Sequence, residues 1–214
     1  MIYLLSPHAC EDTIHLPMIH FSLHKIRLEL DSYNLLMFTS KQAVISAEAL
    51  NPKWKKIPCL AIGKATAKQI ESLGAKVVHQ PKSFYGVELS QDIIEKFKEK
   101  KILYLRPEVV SFDSKKFLSK AGMHIDEKVI YKTECISYPH DEKPKKGAII
   151  IFTSPSTIHC FLKNFGWDNS YSAVVIGETT KVHLPPNAKY VVADRPLIVS
   201  CIEKAKHLLN PNRL

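Results

Sequence analysis

Phe-Thr-Ser-Lys-Gln-Ala at positions 38–43 is followed, 25 positions after Phe38, by Gly-Lys-Ala-Thr at 63–66. Phe-Thr-Ser-Pro-Ser-Thr at 152–157 is followed at the same separation by Gly-Glu-Thr-Thr at 177–180. In both copies an apolar run ends in Thr-Ser and a second apolar run ends in Gly-x-x-Thr. Self-similarity at a fixed spacing indicates two structural units built on one plan.

Around these phrases, short apolar runs alternate with amphipathic segments. Asn34 to Phe38, Ile57 to Ile62 and Ala148 to Phe152 have the length and apolar content of buried strands. Lys64 to Leu73 and Val87 to Lys98 instead place their apolar residues on one face of a helix. Strands that alternate with helices along the whole chain predict an α/β protein with parallel sheets.

The repeat extends beyond its two key phrases. Ile-Leu-Tyr-Leu-Arg-Pro at 102–107 echoes Ile-Tyr-Leu-Leu-Ser-Pro at 2–7, and Pro17 and Tyr131 each precede their Phe-Thr-Ser by 21 positions. The second copy is longer between these points by about one helix, which Phe112 to Ala121 would supply. We therefore expect the first copy to lack that helix.

Two segments, Pro17 to Phe21 and Tyr131 to Cys135, alternate apolar and polar residues where other strands are continuously apolar. We interpret them as paired extended segments through which the chain crosses twice between two similar domains, as a two-stranded antiparallel linker. Because few contacts would cross such a linker, relative domain motion is expected. The predicted boundaries are 1–18 plus 134–214 for a discontinuous first α/β domain, 21–131 for the second, and linker strands near 17–22 and 130–136.

The composition is typical of a soluble globular protein, because 45% of the 214 residues are hydrophobic and 24% are charged. No apolar run approaches the roughly 20 residues that span a bilayer. Met1 to Pro7 lacks the basic start and long apolar core of a signal peptide. The five cysteines are odd in number and never form Cys-x-x-Cys. We therefore expect reduced thiols in a cytoplasmic, monomeric protein, with no disulfide or zinc framework and no membrane partner.

The net charge of +9 indicates solvated lysine-rich surfaces, a nucleic-acid partner or an acidic small molecule. Basic aromatic RNA-binding motifs, zinc-finger spacings and basic heptads are absent from the sequence. A polyanionic small molecule is therefore favoured over nucleic acid. A nucleic-acid binder would show salt-sensitive retention of single or double strands.

The repeated phrases lie where the strands of a parallel sheet end, which is where such sheets bind ligands. Each phrase opens a helix and offers free N–H groups, a positive dipole end and a hydroxyl, a combination that suits carboxylate or phosphate. Helix capping alone is the alternative explanation for any single hydroxyl. No nucleotide is indicated, because neither a Walker A nor a G-x-G-x-x-G pattern occurs. The candidate binding residues, expected to face one cleft between the domains, are Ser40, Lys41, Gly63, Lys64, Thr66, Arg106, Ser154, Ser156, Gly177, Thr179 and Thr180.

Catalytic machinery of the usual kinds is absent from the sequence. There is no G-x-S-x-G, no H-E-x-x-H and no paired-carboxylate motif, and the ten histidines are scattered, so no metal site is predicted. Tyr131 lies on the predicted crossing strand beside the cleft, where the equivalent position carries Pro17. Its two interpretations are a catalytic phenol and a tyrosine packed at a hinge.

With these residues in view, the chain resembles the uroporphyrinogen-III synthase family over nearly its whole length. The order and spacing of several short motifs carry the likeness. These motifs are Phe-Thr-Ser-x-x-Ala-Val at 38–44, Ile-Gly-x-x-Thr-Ala at 62–67, Val-Ile-Tyr-x-Thr at 129–133, Phe-Thr-Ser-Pro-Ser at 152–156 and Ile-Gly-x-Thr-Thr at 176–180.

The resemblance implies two α/β domains joined by a two-stranded ladder, and an enzyme that needs no cofactor. The implied reaction cyclises the linear tetrapyrrole hydroxymethylbilane, with inversion of ring D, to uroporphyrinogen III and water. That substrate carries eight carboxylates, which would give the basic charge and the helix starts a common purpose. A non-catalytic receptor for an acidic small molecule is the alternative.

By position, Tyr131 matches the family tyrosine proposed to assist departure of the hydroxyl group. Hydroxyl residues that line the family's cleft are matched by Ser40, Thr66, Ser154, Thr179 and Thr180. One departure is Glu178, which occupies a place where the family commonly has proline. Its negative charge brings into question how closely that helix start approaches a carboxylate.

Overall fold

A computed structural model describes residues 1–82 and 85–209 of the chain. Its strands are β1 (Ile2–Leu4), β2 (Ile14–His15), β3 (Ile19–Leu23), β4 (Leu35–Phe38), β5 (Cys59–Ala61), β6 (Val77–His79), β7 (Ile102–Pro107), β8 (Ile125–Cys135), β9 (Ile149–Phe152), β10 (Ser172–Val175) and β11 (Lys189–Val192). Its helices are α1 (Lys41–Leu50), α2 (Lys64–Ser72), α3 (Gly86–Lys96), α4 (Ser114–Lys120), α5 (Pro155–Phe165), α6 (Glu178–Lys181) and α7 (Ile198–Leu209), with short 3-10 helices at Pro52–Lys56 and His140–Glu142.

The strands form two sheets whose neighbours are predominantly parallel, which confirms the predicted α/β class. One sheet has the order β11-β10-β9-β1-β2, and the other has the order β3-β8-β7-β4-β5-β6. Ile2 of β1 is in parallel register with Ile149 of β9, and Leu36 of β4 with Cys59 of β5. A parallel pair needs a crossover connection, which explains why helices separate most of these strands in the sequence.

The chain divides into two compact units. Unit 1 comprises residues 1–20 and 133–214, and unit 2 comprises residues 21–132. The chain passes from one unit to the other within β3 and again within β8, which are neighbours at the edge of the six-stranded sheet. The N–H of His24, just after β3, donates to the carbonyl of Ile130 in β8.

Unit 2 buries apolar side chains on both faces of its sheet. On one face Leu36 and Phe38 pack with α1 and α2, which contribute Val44 and Ile70. The other face belongs to a second cluster, in which Met37 packs with side chains of α3 and α4. Successive residues of β4 therefore point to opposite faces, and both clusters reach the strand ends that carry the candidate site.

Unit 1 is also covered on both faces of its sheet. Alternate residues of β9, such as Ile151, pack with α7, which contributes Cys201 and Ala205. Phe152, the last residue of β9, makes an edge-to-face contact with Phe161 of α5, with ring centroids 5.6 Å apart. Such aromatic contacts fix α5 above the end of β9, where the second Thr-Ser phrase begins.

The predicted difference between the two copies is confirmed. Residues 5–13, which connect β1 to β2, carry no helix, whereas α4 occupies the corresponding connection from β7 to β8. Helix α4 ends before Gly122, which has φ +79° and follows the cap residue Ala121 directly. That left-handed conformation favours glycine.

The expectation that all five thiols are reduced is wrong for one pair. Cys135, the last residue of β8, forms a disulfide with Cys160 of α5, and their Cα atoms are 5.3 Å apart. Cys10, Cys59 and Cys201 are free. The two bonded cysteines are 25 positions apart in sequence, so spacing alone does not reveal that the fold brings them together. The cysteine pattern therefore no longer supports a cytoplasmic location.

Two absences within the described residues bear on function. None of the helices in residues 1–82 and 85–209 combines the length and apolar character that crossing a bilayer requires. In the same ranges, no three His, Cys, Asp or Glu side chains are grouped so that they could hold a metal ion.

Candidate functional site

The candidate residues fall into two groups, one in each unit. Ser40, Lys41, Gly63, Lys64, Thr66, Arg106 and Tyr131 belong to unit 2, and Ser154, Ser156, Gly177, Thr179 and Thr180 belong to unit 1. In unit 2 they follow β4 and β5 or lie within β7 and β8, and in unit 1 they follow β9 and β10. Neighbouring strands in each group are parallel, so each group collects at the carboxyl edge of its sheet.

The two Thr-Ser phrases cap their own helices. Ser40 Oγ accepts a hydrogen bond from the N–H of Ala43 at 3.0 Å, at the start of α1. Ser154 Oγ accepts from the N–H of Thr157 at 3.3 Å, and Thr157 Oγ1 accepts from the N–H of Ser154 in return. Both serines therefore act as helix caps, since each hydroxyl satisfies a helix N–H group.

The two Gly-x-x-Thr phrases leave their helices uncapped. Gly63 precedes α2 and Gly177 precedes α6, and neither helix receives a side-chain cap. Both glycines have extended backbones, with φ −175° and 178°, so the conformation itself does not require glycine. A Cβ added at Gly177 would meet no atom within 4 Å. Gly177 therefore has open space at its helix start, whereas Gly63 is buried. Within the described residues no cap side chain bonds to the first N–H groups of either helix, which suits a carboxylate.

The threonines of these phrases divide between the interior and the surface. Thr66 is 4% exposed and Thr180 is 1% exposed, so both side chains lie inside their units. Their N–H groups donate to the carbonyls of Gly63 and Gly177 in the first turn of each helix. Thr179 is exposed. The geometry therefore favours the backbone of the glycine turn, with Thr179 beside it in unit 1, over Thr66 and Thr180 as ligands.

Lysines surround the open helix start of unit 2. Lys41 is the first residue of α1 and Lys64 the first of α2, and both are exposed. A shallow groove is lined by Lys41, Ala65, Lys68, Gln69 and Ser72. The positive dipole ends of α1 and α2 add to these charges, so this edge of unit 2 attracts anions.

Arg106 is committed to another partner. Its guanidinium donates to both carboxylate oxygens of Glu127, from Nε at 2.8 Å and from Nη2 at 3.2 Å. Nη1 donates to the carbonyls of Pro107 and Glu108. This pairing raises the pKa of Arg106 and ties the end of β7 to β8. We therefore assign Arg106 to holding the strand ends together and leave it out of the proposed ligand set.

Glu178 has a local partner too. Its carboxylate pairs with Lys181 Nζ at 3.0 Å, one turn later in α6. The negative charge at this helix start is thereby partly balanced, although the Glu178 side chain is 69% exposed. Ser156 lies in the first turn of α5, half-buried beside the capped serine.

Tyr131 lies at the edge of the unit 2 site. Its side chain is buried, at 4% exposure, and its Oη is 2.9 Å from Ser40 Oγ. The ring packs edge-to-face on Phe21, with centroids 5.7 Å apart. Burial raises the pKa of Tyr131, and the hydrogen bond with Ser40 lowers it in part. The phenol is therefore protonated at neutral pH.

A bulge in β8 determines where Tyr131 points. Arg106 of β7 pairs with Val129, but the next residue, Pro107, pairs with Tyr131, so Ile130 is an extra residue on β8. Ile130 and Tyr131 are consecutive and both belong to the cluster that contains Phe38. A bulge re-aims the side chains that follow it. This one places Tyr131 on the face of the sheet that leads to Ser40.

A second buried tyrosine, which the sequence pattern does not single out, holds the same turn in place from the opposite face of the sheet. Tyr104 of β7 is 2% exposed and lies in the cluster on the opposite face, with Met37. Its Oη is 2.8 Å from Thr39 Oγ1, so the Thr39-Ser40 turn is bonded to a phenol on each side. The signal that was available is a single polar group in an otherwise apolar run, Ile-Leu-Tyr-Leu at 102–105.

Known proteins are similar to this chain in sequence and in fold. A family model described as "Uroporphyrinogen-III synthase HemD" matches residues 10–203. The fold is similar to the crystal structure of uroporphyrinogen-III synthetase from Helicobacter pylori, with 27% identity, a TM-score of 0.82 and coverage of 97% of this chain and 98% of that one. A mutant uroporphyrinogen III synthase from the extremely thermophilic bacterium Thermus thermophilus shares the fold at 10% identity and a TM-score of 0.61, over 99% of both chains. No curated protein is similar enough to count as a match.

Proposed function

Because the chain belongs to the uroporphyrinogen-III synthase family, and so to tetrapyrrole biosynthesis, we propose that it cyclises hydroxymethylbilane with inversion of ring D to give uroporphyrinogen III and water. The proposal includes no cofactor. It also treats unit 1 and unit 2 as the two domains, and β3 with β8 as the antiparallel link between them.

One observation carries the proposal: the matched glycine turns are uncapped whereas the matched serine turns are capped. The first N–H groups of α2 and α6, which receive no bond from a cap side chain, suit carboxylates, and Lys41 and Lys64 add positive charge on unit 2. Hydroxymethylbilane carries eight carboxylates along a flexible chain. Several weak anion sites bind such a chain in one bent conformation, and binding of this kind lowers the entropic barrier to ring closure.

Tyr131 supplies the acid that the first step uses. The phenol gives its proton to the departing hydroxyl, the C–O bond breaks with its electron pair on that oxygen, and water leaves. The cation on the methylene carbon is stabilised by its pyrrole ring. Ring D attacks through its substituted carbon to form a spiro intermediate, which fragments and closes at the free ring carbon. The proton lost from that carbon returns to the Tyr131 phenolate, so the enzyme is restored.

The identity of the cyclic product tests the proposal. The protein is incubated with freshly generated hydroxymethylbilane, and the products are oxidised and separated as isomers. We expect the type III isomer in excess over the type I isomer, which the substrate forms unaided. If only type I appears, the enzyme function is wrong. The chain would then fit the alternative, a receptor that binds an acidic small molecule without converting it.

A further inference from the structure

We propose that Ser40 is a positioning residue for the Tyr131 phenol. Its hydroxyl donates to the phenol oxygen, and the phenol O–H therefore stays free for the departing hydroxyl of the substrate. The inference rests on the proposed function and assigns Ser40 a role besides helix capping. The bond itself is the contact of 2.9 Å between Ser40 Oγ and Tyr131 Oη.

The capping bond determines which way the Ser40 proton points. A hydroxyl has one O–H donor and two lone pairs. Ser40 Oγ uses one lone pair to accept from the N–H of Ala43, so its oxygen faces the positive end of α1. A proton on that oxygen is repelled by the helix N–H groups and turns away from them. Within the described residues, Tyr131 Oη is the acceptor that remains in hydrogen-bond reach of Ser40.

The phenol has little freedom to turn elsewhere. The Tyr131 side chain is 4% exposed, and its ring packs edge-to-face with Phe21. The extra residue Ile130 in β8 fixes the face of the sheet on which the Tyr131 side chain lies. Ser40 is equally fixed, because its extended backbone is that of a helix cap. Once the Ser40 hydroxyl donates its hydrogen bond to the phenol oxygen, the O–H of Tyr131 is the only donor of this pair that remains free.

The chain contains its own comparison for this bond. In unit 1 the equivalent serine, Ser154, caps α5 in a reciprocal pair with Thr157. The position equivalent to Tyr131 in the repeat is Pro17, which has no hydroxyl. A Thr-Ser turn of this kind therefore caps its helix without a phenol. The Ser40–Tyr131 bond is not needed for capping, so we assign it to the orientation of Tyr131.

The proton balance of the step follows from this arrangement. The phenol proton moves to the leaving oxygen, and the resulting phenolate keeps the hydrogen bond that Ser40 donates. Because an O–H donor stabilises the anion, Ser40 lowers the cost of forming the phenolate. Ring closure returns one proton to Tyr131, and Ser40 neither gains nor loses a proton.

A double-mutant cycle tests the assignment. We expect Ser40→Ala to lower kcat for type III formation about tenfold or more, since a misplaced acid is costly, and to leave KM within about twofold. Ser40→Thr retains the hydroxyl and should keep kcat near that of the wild type. Ser40→Ala combined with Tyr131→Phe should be no slower than Tyr131→Phe alone, because we expect Ser40 to affect kcat only through that phenol.

Tyr104→Phe is the matched control, because it removes a phenol–hydroxyl bond from the neighbouring residue of the same turn, Thr39, on the opposite face. We expect kcat within about twofold of the wild type, with the melting temperature measured for every variant. If Ser40→Ala keeps full kcat, if Tyr104→Phe loses as much as Ser40→Ala, or if the double variant is additive, the assignment is wrong while the proposed function stands. A wild-type protein that forms no type III isomer overturns both.

Discussion

At the scale of single residues, the site depends on the protonation and direction of one phenol. Burial raises the pKa of Tyr131 above its ordinary value of about 10, so its acidic form persists through neutral and mildly alkaline pH. Its direction depends on Ile130, an extra residue in β8, and its hydrogen bond depends on Ser40. In its resting state this residue can only donate a proton, and it accepts one only after the phenolate has formed in the first step.

We predict that Tyr131→Phe lowers kcat for the type III isomer at least about tenfold, because the acid is lost. Removing one hydrogen bond worth about 1 kcal/mol should lower Tm by no more than about 4 °C, since the ring still packs on Phe21. In the wild type, kcat should be constant between about pH 6.5 and pH 9, because the raised pKa keeps the phenol protonated there. Tyr131 would be assigned to packing alone if the variant keeps the wild-type rate. The same holds if the wild-type kcat already declines at a pH well under 9.

At the scale of elements, the repeated phrases give each sheet one helix that starts with a serine cap and one that starts with a glycine. The capped helices α1 and α5 are long enough to present a stable first turn, whereas the open starts belong to α2 and the short α6. The disulfide joins the capped helix α5, which contains Cys160, to strand β8, which ends at Cys135. This bond constrains the chain between β8 and the helix that follows the second Thr-Ser phrase.

We predict that the Cys135–Cys160 disulfide stabilises the folded chain. Replacing both cysteines by alanine should lower the free energy of unfolding by about 3 kcal/mol, the amount expected for closing a loop of this length. Denaturant titration measures the change, and a reducing agent should reproduce it in the wild type. The double variant is the control for the reagent, because reduction should not destabilise it further. A wild-type midpoint that reductant leaves unchanged would contradict the prediction.

The sequence predicts this level of organisation well where the signal is local. Helix starts at Ser40 and Ser154, and the missing helix in the first copy, follow from capping chemistry and from spacing. The disulfide, the Arg106–Glu127 pair and the direction of Tyr131 depend on which strands become neighbours and in which register. A one-residue bulge changes that register, and its only local trace is the broken alternation at Val129-Ile130-Tyr131.

At the scale of the molecule, the positive net charge of the chain is opposite in sign to the charge of the proposed substrate. The chain carries a net charge of +9, and the proposed substrate is a polycarboxylate. Long-range attraction of this kind raises the rate of encounter and is screened by salt. It acts on binding more than on chemistry, because ring closure itself requires a fixed conformation and one proton.

We predict that KM for hydroxymethylbilane rises about fivefold between about 0.05 and 0.5 M NaCl while kcat stays constant, because screening weakens the attraction. At low salt, replacing Lys41 and Lys64 by glutamine should also raise KM. Replacing Lys98 and Lys100, which are exposed after α3, removes the same charge and should have a smaller effect. Equal effects of the two pairs would show that net charge alone, rather than the open helix start of α2, attracts the substrate.

The place of β1 in its sheet determines the order in which the two units can fold during synthesis on the ribosome. β1 lies between β2 and β9, and Ile2 pairs with Ile149, so unit 1 cannot assemble its sheet until residues near 149 have emerged. A two-stranded remnant of β1 and β2 is unstable by itself. Unit 2 is a continuous segment, residues 21–132, and all of it is made earlier. We therefore expect the nascent chain to fold its interior unit first and to hold its first twenty residues open until translation supplies their partner.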